Sequence, residues 1–201
     1  GNLVEVLVGV RRCGKTYRLY QEMNRILDAG YGLDSILYFN FDDERLKPYE
    51  TAMLDDVVES FFSLNPSAKT EGAFFFFDEI QEVKDWEKCI NSFRVSLDCD
   101  IYITGSNARL LSGELATYLG GRYVEFTLYP FSFSEFLDLY RPIAGDEPIQ
   151  KCFQKYLVSG GMPYLANIRY ADEPSRQYLL DLFHSVQLKD ILIRNKIRDV
   201  D

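Results

Sequence analysis

The chain is poor in several residues that small domains often depend on. It has one histidine, one tryptophan, three methionines and four cysteines in 201 residues. Cys13, Cys89, Cys99 and Cys152 stand far apart with no C-x-x-C pair, and His184 has no second histidine, so the usual zinc spacings are absent. A chain of this length does not need disulfide staples, so reduced thiols and a cytoplasmic location are expected. Long apolar runs are missing as well. The phenylalanine run at 74–77 is the longest aromatic stretch, far short of the ~20 residues a membrane helix requires. Residues 2–10 lead straight into Arg11 and Arg12 with no small-residue cleavage site, so no secretory leader is expected there. Basic residues are outnumbered, 22 against 31 acidic, for a net charge of −9. The first hundred residues alone hold eleven basic and nineteen acidic. Phosphate-backbone binding needs clustered Lys and Arg, so a nucleic-acid partner is not supported by charge. Lys189, Arg194, Lys196 and Arg198 read as a solvated helix face.

What is present alternates. The short apolar run at 3–8 reads as a strand, and residues 16–29 then switch to helical spacing, with Leu19, Tyr20, Met23, Ile26 and Leu27 on one face and Gly30 closing it. Strands follow at 35–41, 73–77, 100–104 and 122–128, with helices at 53–64, 85–97 and 108–119 between them. The third strand is apolar throughout, as expected of a parallel strand covered on both faces. This is an α/β three-layer sandwich around a mainly parallel five-stranded sheet. After residue 130 only helices are expected, at 134–140, 149–158 and 174–194. A boundary near 145 divides a core (1–145) from a small helical lid (146–201), which is expected to continue into a C-terminal domain.

Gly9-Val10-Arg11-Arg12-Cys13-Gly14-Lys15-Thr16 matches G-x-x-x-x-G-K-[ST], directly after a strand and before a helix. In this P-loop arrangement, glycines let successive backbone N–H groups turn toward phosphate oxygens, and the helix N-terminus adds partial positive charge. Gly9, Arg12, Cys13, Gly14, Lys15, Thr16 and Tyr17 are the candidate nucleotide-binding residues. Lys15 supplies a point charge to the phosphates, and the Thr16 hydroxyl is a magnesium ligand. The run at 74–77 delivers Asp78 and Glu79 at a strand end, expected beside the P-loop strand. Asp78 is the second magnesium-binding candidate and Glu79 the group that polarises an attacking water. Thr104, Ser106 and Asn107 end the fourth strand; any of them could sense the γ-phosphate, with Ser106 preferred, and the alternative is that Ser106 or Asn107 caps the helix that follows. Arg122 follows Gly120-Gly121 and is either an arginine finger for a neighbouring subunit or a surface arginine. Gly160-Gly161-Met162-Pro163 is either an interhelical turn or one that packs Pro163 on an adenine ring. Asp42-Asp43-Glu44 reads as a solvated acidic turn, Trp86 as a packing residue, His184 as a surface residue and Cys13 as a small loop filler.

The ordered set, namely the P-loop, Phe-Asp-Glu-Ile-Gln (77–81), Ile-Thr-Gly-Ser-Asn (103–107), Gly-Gly-Arg (120–122), Pro-Phe-Ser-Phe-Ser-Glu-Phe (130–136) and Gly-Gly-Met-Pro (160–163), resembles bacterial and archaeal AAA-type ATPases near the signal-transduction (STAND-like) branch. The resemblance implies ATP and Mg²⁺ as cofactors, with phosphate binding at Gly14, Lys15 and Thr16, and metal at Asp78. It also implies catalysis at Glu79, sensing near Ser106, a finger at Arg122 and base contact at Pro163. ADP, further copies of the chain and an unknown protein client are the implied partners, and Arg169 and Arg176 are candidates for a second sensor. The expected function is Mg-dependent ATP hydrolysis coupled to conformational change. The alternatives are a nucleotide-gated interaction module with little turnover and, more weakly, a small-molecule kinase.

Overall fold

A computed structural model describes residues 3–43, 45, 47–106 and 119–186. Five strands, β1 (Val4–Gly9), β2 (Ile36–Asn40), β3 (Ala73–Asp78), β4 (Cys99–Ser106) and β5 (Tyr123–Leu128), form one sheet in the order β2-β3-β4-β1-β5. Every neighbouring pair is parallel. The helices of this part are α1 (Lys15–Asp28), α2 (Thr51–Leu64), the short α3 (Ala68–Glu71) and α4 (Trp86–Ser96). The helix expected at 108–119 lies outside the described residues apart from Leu119.

Strand periodicity explains why β3 is apolar at successive positions. Side chains alternate between faces, and this sheet has helices on both. Phe75 and Phe77 join Val4, Val6, Val8, Ile101 and Ile103 in a core shared with α2 and α4. Phe74 and Phe76 turn to the other face, where Leu19 and Ile26 of α1 pack with Tyr102. There Phe76 stacks on Tyr102 with centroids 4.5 Å apart and planes within 7°. Trp86 is buried in the first of these cores, as its apolar surroundings in the sequence suggested.

Two differences from the expected layout matter. β4 lies between β1 and β3, so the acidic strand is not the direct neighbour of the P-loop strand. Sequence patterning cannot give this order, because strand pairing depends on which crossovers the helices cover. Contacts also divide the chain after Leu128, upstream of the boundary expected near 145. The reason is α5 (Phe133–Ala144), whose Phe136 and Tyr140 pack into a separate aromatic core with Cys152, Leu165, Tyr170 and Tyr178. These residues come from α6 (Ile149–Ser159), α7 (Tyr164–Asn167), α8 (Asp172–Val186) and their connections. Val10–Cys13 of the P-loop cluster with this helical unit.

The motif at 130–136 has a structural explanation. Ser132 and Glu135 form a capping box: the Glu135 N–H donates to Ser132 Oγ, and the Ser132 N–H donates to Glu135 Oε2 at 2.8 Å. Ahead of it, the Phe131 N–H donates to the Gly161 carbonyl at 2.7 Å and the Tyr156 hydroxyl to the Phe131 carbonyl at 2.9 Å. A Cβ on Gly161 would lie 1.9 Å from that carbonyl oxygen, so this glycine is required by close backbone approach.

Phe75 has no exposed surface and touches the rings of Phe61, Phe62, Phe77 and Phe93. Phe75→Ala is expected to cost about 3–5 kcal/mol of stability, read as a drop in the urea midpoint with an unchanged slope.

Candidate functional site

β1 ends at Gly9 and α1 begins at Lys15, so the loop between them turns from the sheet onto a helix N-terminus. Gly14 sits at φ +106°, a conformation that favours glycine. Arg12 is also left-handed at φ +61°, and its guanidinium lies over the Tyr178 ring, 5.7 Å from the centroid. The Cys13 N–H donates to the Val10 carbonyl at 3.3 Å, and the Cys13 side chain is buried, in keeping with a loop filler.

Lys15 is only 4% exposed. Burying an ammonium is costly unless it is paired. Its Nζ donates to the Gly9 carbonyl at 3.3 Å and makes an ion pair with Glu79 Oε1, also at 3.3 Å. Glu79 reaches that position because it leaves β3 in the left-handed region, at φ +55°, ψ +42°. A non-glycine residue there carries strain of order 1 kcal/mol and persists only when neighbours hold it. They do: the Glu79 N–H donates to Thr104 Oγ1 at 3.0 Å, and Gln81 Nε2 donates to Glu79 Oε2 at 2.5 Å. The other end of that amide, Gln81 Oε1, is buried without a partner among the described residues.

Asp78 is fully buried. It faces the α1 side of β3, alternating with Phe75 and Phe77. A buried carboxylate must have its oxygens satisfied. Thr104 Oγ1 donates to Oδ1 from β4. Thr16 Oγ1 donates to Oδ2 from α1 at 2.6 Å, and the Tyr38 hydroxyl donates to Oδ2 from β2 at 3.2 Å. The Tyr20 hydroxyl in turn donates to Tyr38 at 3.4 Å. Burial, the Tyr20 contact and the charge of Asp78 hold the Tyr38 phenol well above its ordinary range, so it is a proton donor at any working pH.

The structure therefore brings Lys15, Thr16, Asp78, Glu79 and Thr104 together. Sequence reasoning missed Tyr38 and Gln81. Tyr38 reads as one more aromatic in a strand, and Gln81 lies just past an acidic pair that draws the eye. Thr104 is one of three residues able to serve at the end of β4, and it touches both carboxylate residues. Ser106, the preferred one, pairs in register with Gly9, and nothing further of its side chain is described; Asn107 lies outside the described residues. Arg122 is exposed and follows two left-handed glycines at φ +56° and +74°, with its backbone carbonyl accepting from Val4 N–H. Tyr17 is 74% exposed. Pro163 opens α7 in the helical unit, where Arg176 is paired with Glu173 and Arg169 is exposed. Asp43 is paired with Arg45, which holds its carboxyl down to about 2, and β2 is an edge strand, in keeping with a solvated turn. His184 is exposed. All four cysteines are free and buried; burial pushes the Cys99 thiol up to about 12. A hollow of about 250 Å³ under α1, lined by Glu5, Glu22, Tyr102 and Phe126 among others, includes none of the clustered residues.

Among the described residues no three His, Cys, Asp or Glu side chains gather as a metal cage. One carboxylate and one hydroxyl in contact, Asp78 and Thr16, are the oxygen set that Mg²⁺ takes when phosphate oxygens and water complete its shell. The residues fit that ion. No described helix is long and apolar enough to cross a membrane.

Residues 2–137 match the family model described as "AAA domain". Two curated relatives, both named only as uncharacterised proteins, come from Haemophilus influenzae and Methanocaldococcus jannaschii. The first is 39% identical over 98% of this chain and 48% of its own length. The second is 32% identical over 99% of this chain and 44% of its own. The chain thus spans about half the length of the curated relatives it matches. Among solved structures, a DNA polymerase III gamma subunit-related protein of Thermotoga maritima aligns with a TM-score of 0.52 at 11% identity, over 84% of this chain and 53% of its own. AMPPCP-bound DnaA of Aquifex aeolicus aligns with a TM-score of 0.51 at 14% identity, over 96% of this chain and 59% of its own. At such identities these two speak for the fold.

Thr104→Val keeps the shape but leaves a buried Asp78 oxygen and the Glu79 N–H without their partner. The expected cost is about 1.5–3 kcal/mol in urea unfolding.

Proposed function

The chain belongs to the AAA domain family, and from that premise we propose that it binds Mg-ATP and hydrolyses it, with nucleotide state coupled to conformational change. The observation that carries this reading is the meeting of a P-loop lysine and hydroxyl with two successive carboxylates at the C-terminal ends of parallel strands. In this reading Gly14, Lys15 and Thr16 cradle the phosphates at the start of α1, with Gly9, Arg12, Cys13 and Tyr17 around them. Thr16 and Asp78 hold Mg²⁺, which neutralises charge on the phosphates.

Lys15 and Glu79 make an ion pair across 3.3 Å. A triphosphate offers Lys15 a stronger partner, which releases Glu79 to orient and polarise water. Thr104 fixes the backbone of Glu79, and the end of β4 around Ser106 senses the γ-phosphate. Arg122 acts as a finger toward a neighbouring copy, supplying charge to the transition state in trans. Pro163 contacts the base. An assembly of copies, a protein client, a C-terminal domain and a cytoplasmic location complete the proposal, with residues 146–201 forming part of the lid. Nucleic acid is a weaker partner on charge. The ATP analogue named in the DnaA structure supports the choice of nucleotide.

The Lys15–Glu79 pair also favours a second reading, a nucleotide-gated interaction module. A pair that a bound triphosphate would break ties nucleotide binding to a local rearrangement even where turnover is slow.

Calorimetry and phosphate release test both. Lys15→Ala is expected to lose Mg-ATP binding while remaining folded; unchanged affinity removes the P-loop assignment. Glu79→Gln is expected to keep binding and lose about 10²–10⁴-fold in turnover. Negligible wild-type turnover with tight retention of nucleotide selects the switch.

A further inference from the structure

We propose that Tyr38 is a positioning residue for the magnesium side of this site, holding the Asp78 carboxylate in the orientation that receives the metal; this rests on the reading of Asp78 and Thr16 as metal-binding. A carboxylate turns readily about its Cβ–Cγ bond, because that torsion is broad. Asp78 is clamped from two sides. β3 lies between β2 and β4, and Thr104 reaches Oδ1 from β4 while Tyr38 reaches Oδ2 from β2. Thr16 is the remaining partner of Oδ2, and it is itself the proposed metal-binding hydroxyl. Of the three donors, Thr104 and Tyr38 are the two with no proposed role toward the ion, so they form the frame.

The phenol is held in place by its surroundings. Its neighbours Leu37 and Phe39 pack against the core on the opposite face of the sheet. On the α1 face, Tyr20 meets the Tyr38 ring edge-on at 5.5 Å and its hydroxyl donates to Tyr38, which leaves the Tyr38 proton directed to Asp78. Tyr17 continues the row, 6.1 Å from Tyr20. Two tyrosines of the P-loop helix therefore brace the residue that orients the carboxylate.

Groups that orient a metal ligand from behind typically contribute 10–100-fold in metal affinity. The test is binding of a fluorescent ATP analogue to the 201-residue chain and to Tyr38→Phe, titrated with Mg²⁺ and repeated in EDTA. Tyr38→Phe keeps the ring and its packing. The expected result is unchanged affinity in EDTA and roughly tenfold more Mg²⁺ for the half-maximal effect, with full recovery at saturating Mg²⁺. Superposable Mg²⁺ titrations overturn the proposal. An equal loss with and without Mg²⁺ also overturns it, because that is the mark of a packing role. A wild-type chain that binds the analogue without regard to Mg²⁺ overturns the metal reading of Asp78 and Thr16, and this proposal with it.

Discussion

A carboxylate with no exposed surface sits at the end of the middle strand of three, and the arrangement around it follows from the need to satisfy it. Asp78 accepts from Thr16, Thr104 and Tyr38, which come from α1, β4 and β2. An unpaired buried charge is among the most expensive defects a fold can carry. Three separate elements are thereby tied to one residue, and the start of the P-loop helix is pinned to the sheet.

Thr104 links this constraint to the chemistry. The same hydroxyl that donates to Asp78 accepts from the Glu79 N–H. Glu79 can then hold a left-handed backbone, turn out of β3 and meet Lys15. The strain is small beside the cost of leaving Lys15 buried and unpaired. The Lys15–Glu79 pair is thus charge-neutral, and the residues around it are bonded to one another.

The helical unit follows a different logic. Its core is largely aromatic, with Phe136 against Tyr140, Tyr156 and Tyr170, and its turns are held by hydrogen bonds to the backbone. Gly161 and the capping box at Ser132–Glu135 explain two of the motifs that the sequence displays most plainly. A base-contacting role for Pro163 is a proposal laid over a junction that packing already accounts for.

Much of the layout was legible from local patterning. Alternation of strand and helix, the G-x-x-x-x-G-K-T spacing and the apolar run ending in Asp78-Glu79 are short-range signals, set by periodicity and by the conformational freedom of glycine at positions such as Gly14. The sheet order, the division after Leu128 and the membership of α5 in the helical unit were decided by tertiary packing. So were the roles of Thr104, Gln81 and Tyr38. A hydroxyl on one strand meets a carboxylate on another only if register and facing agree, and both are fixed by pairing between strands far apart in the chain. Tyr38, forty residues before Asp78, carries no local mark of that meeting. Only the folded sheet, with β2 against β3, brings the two together.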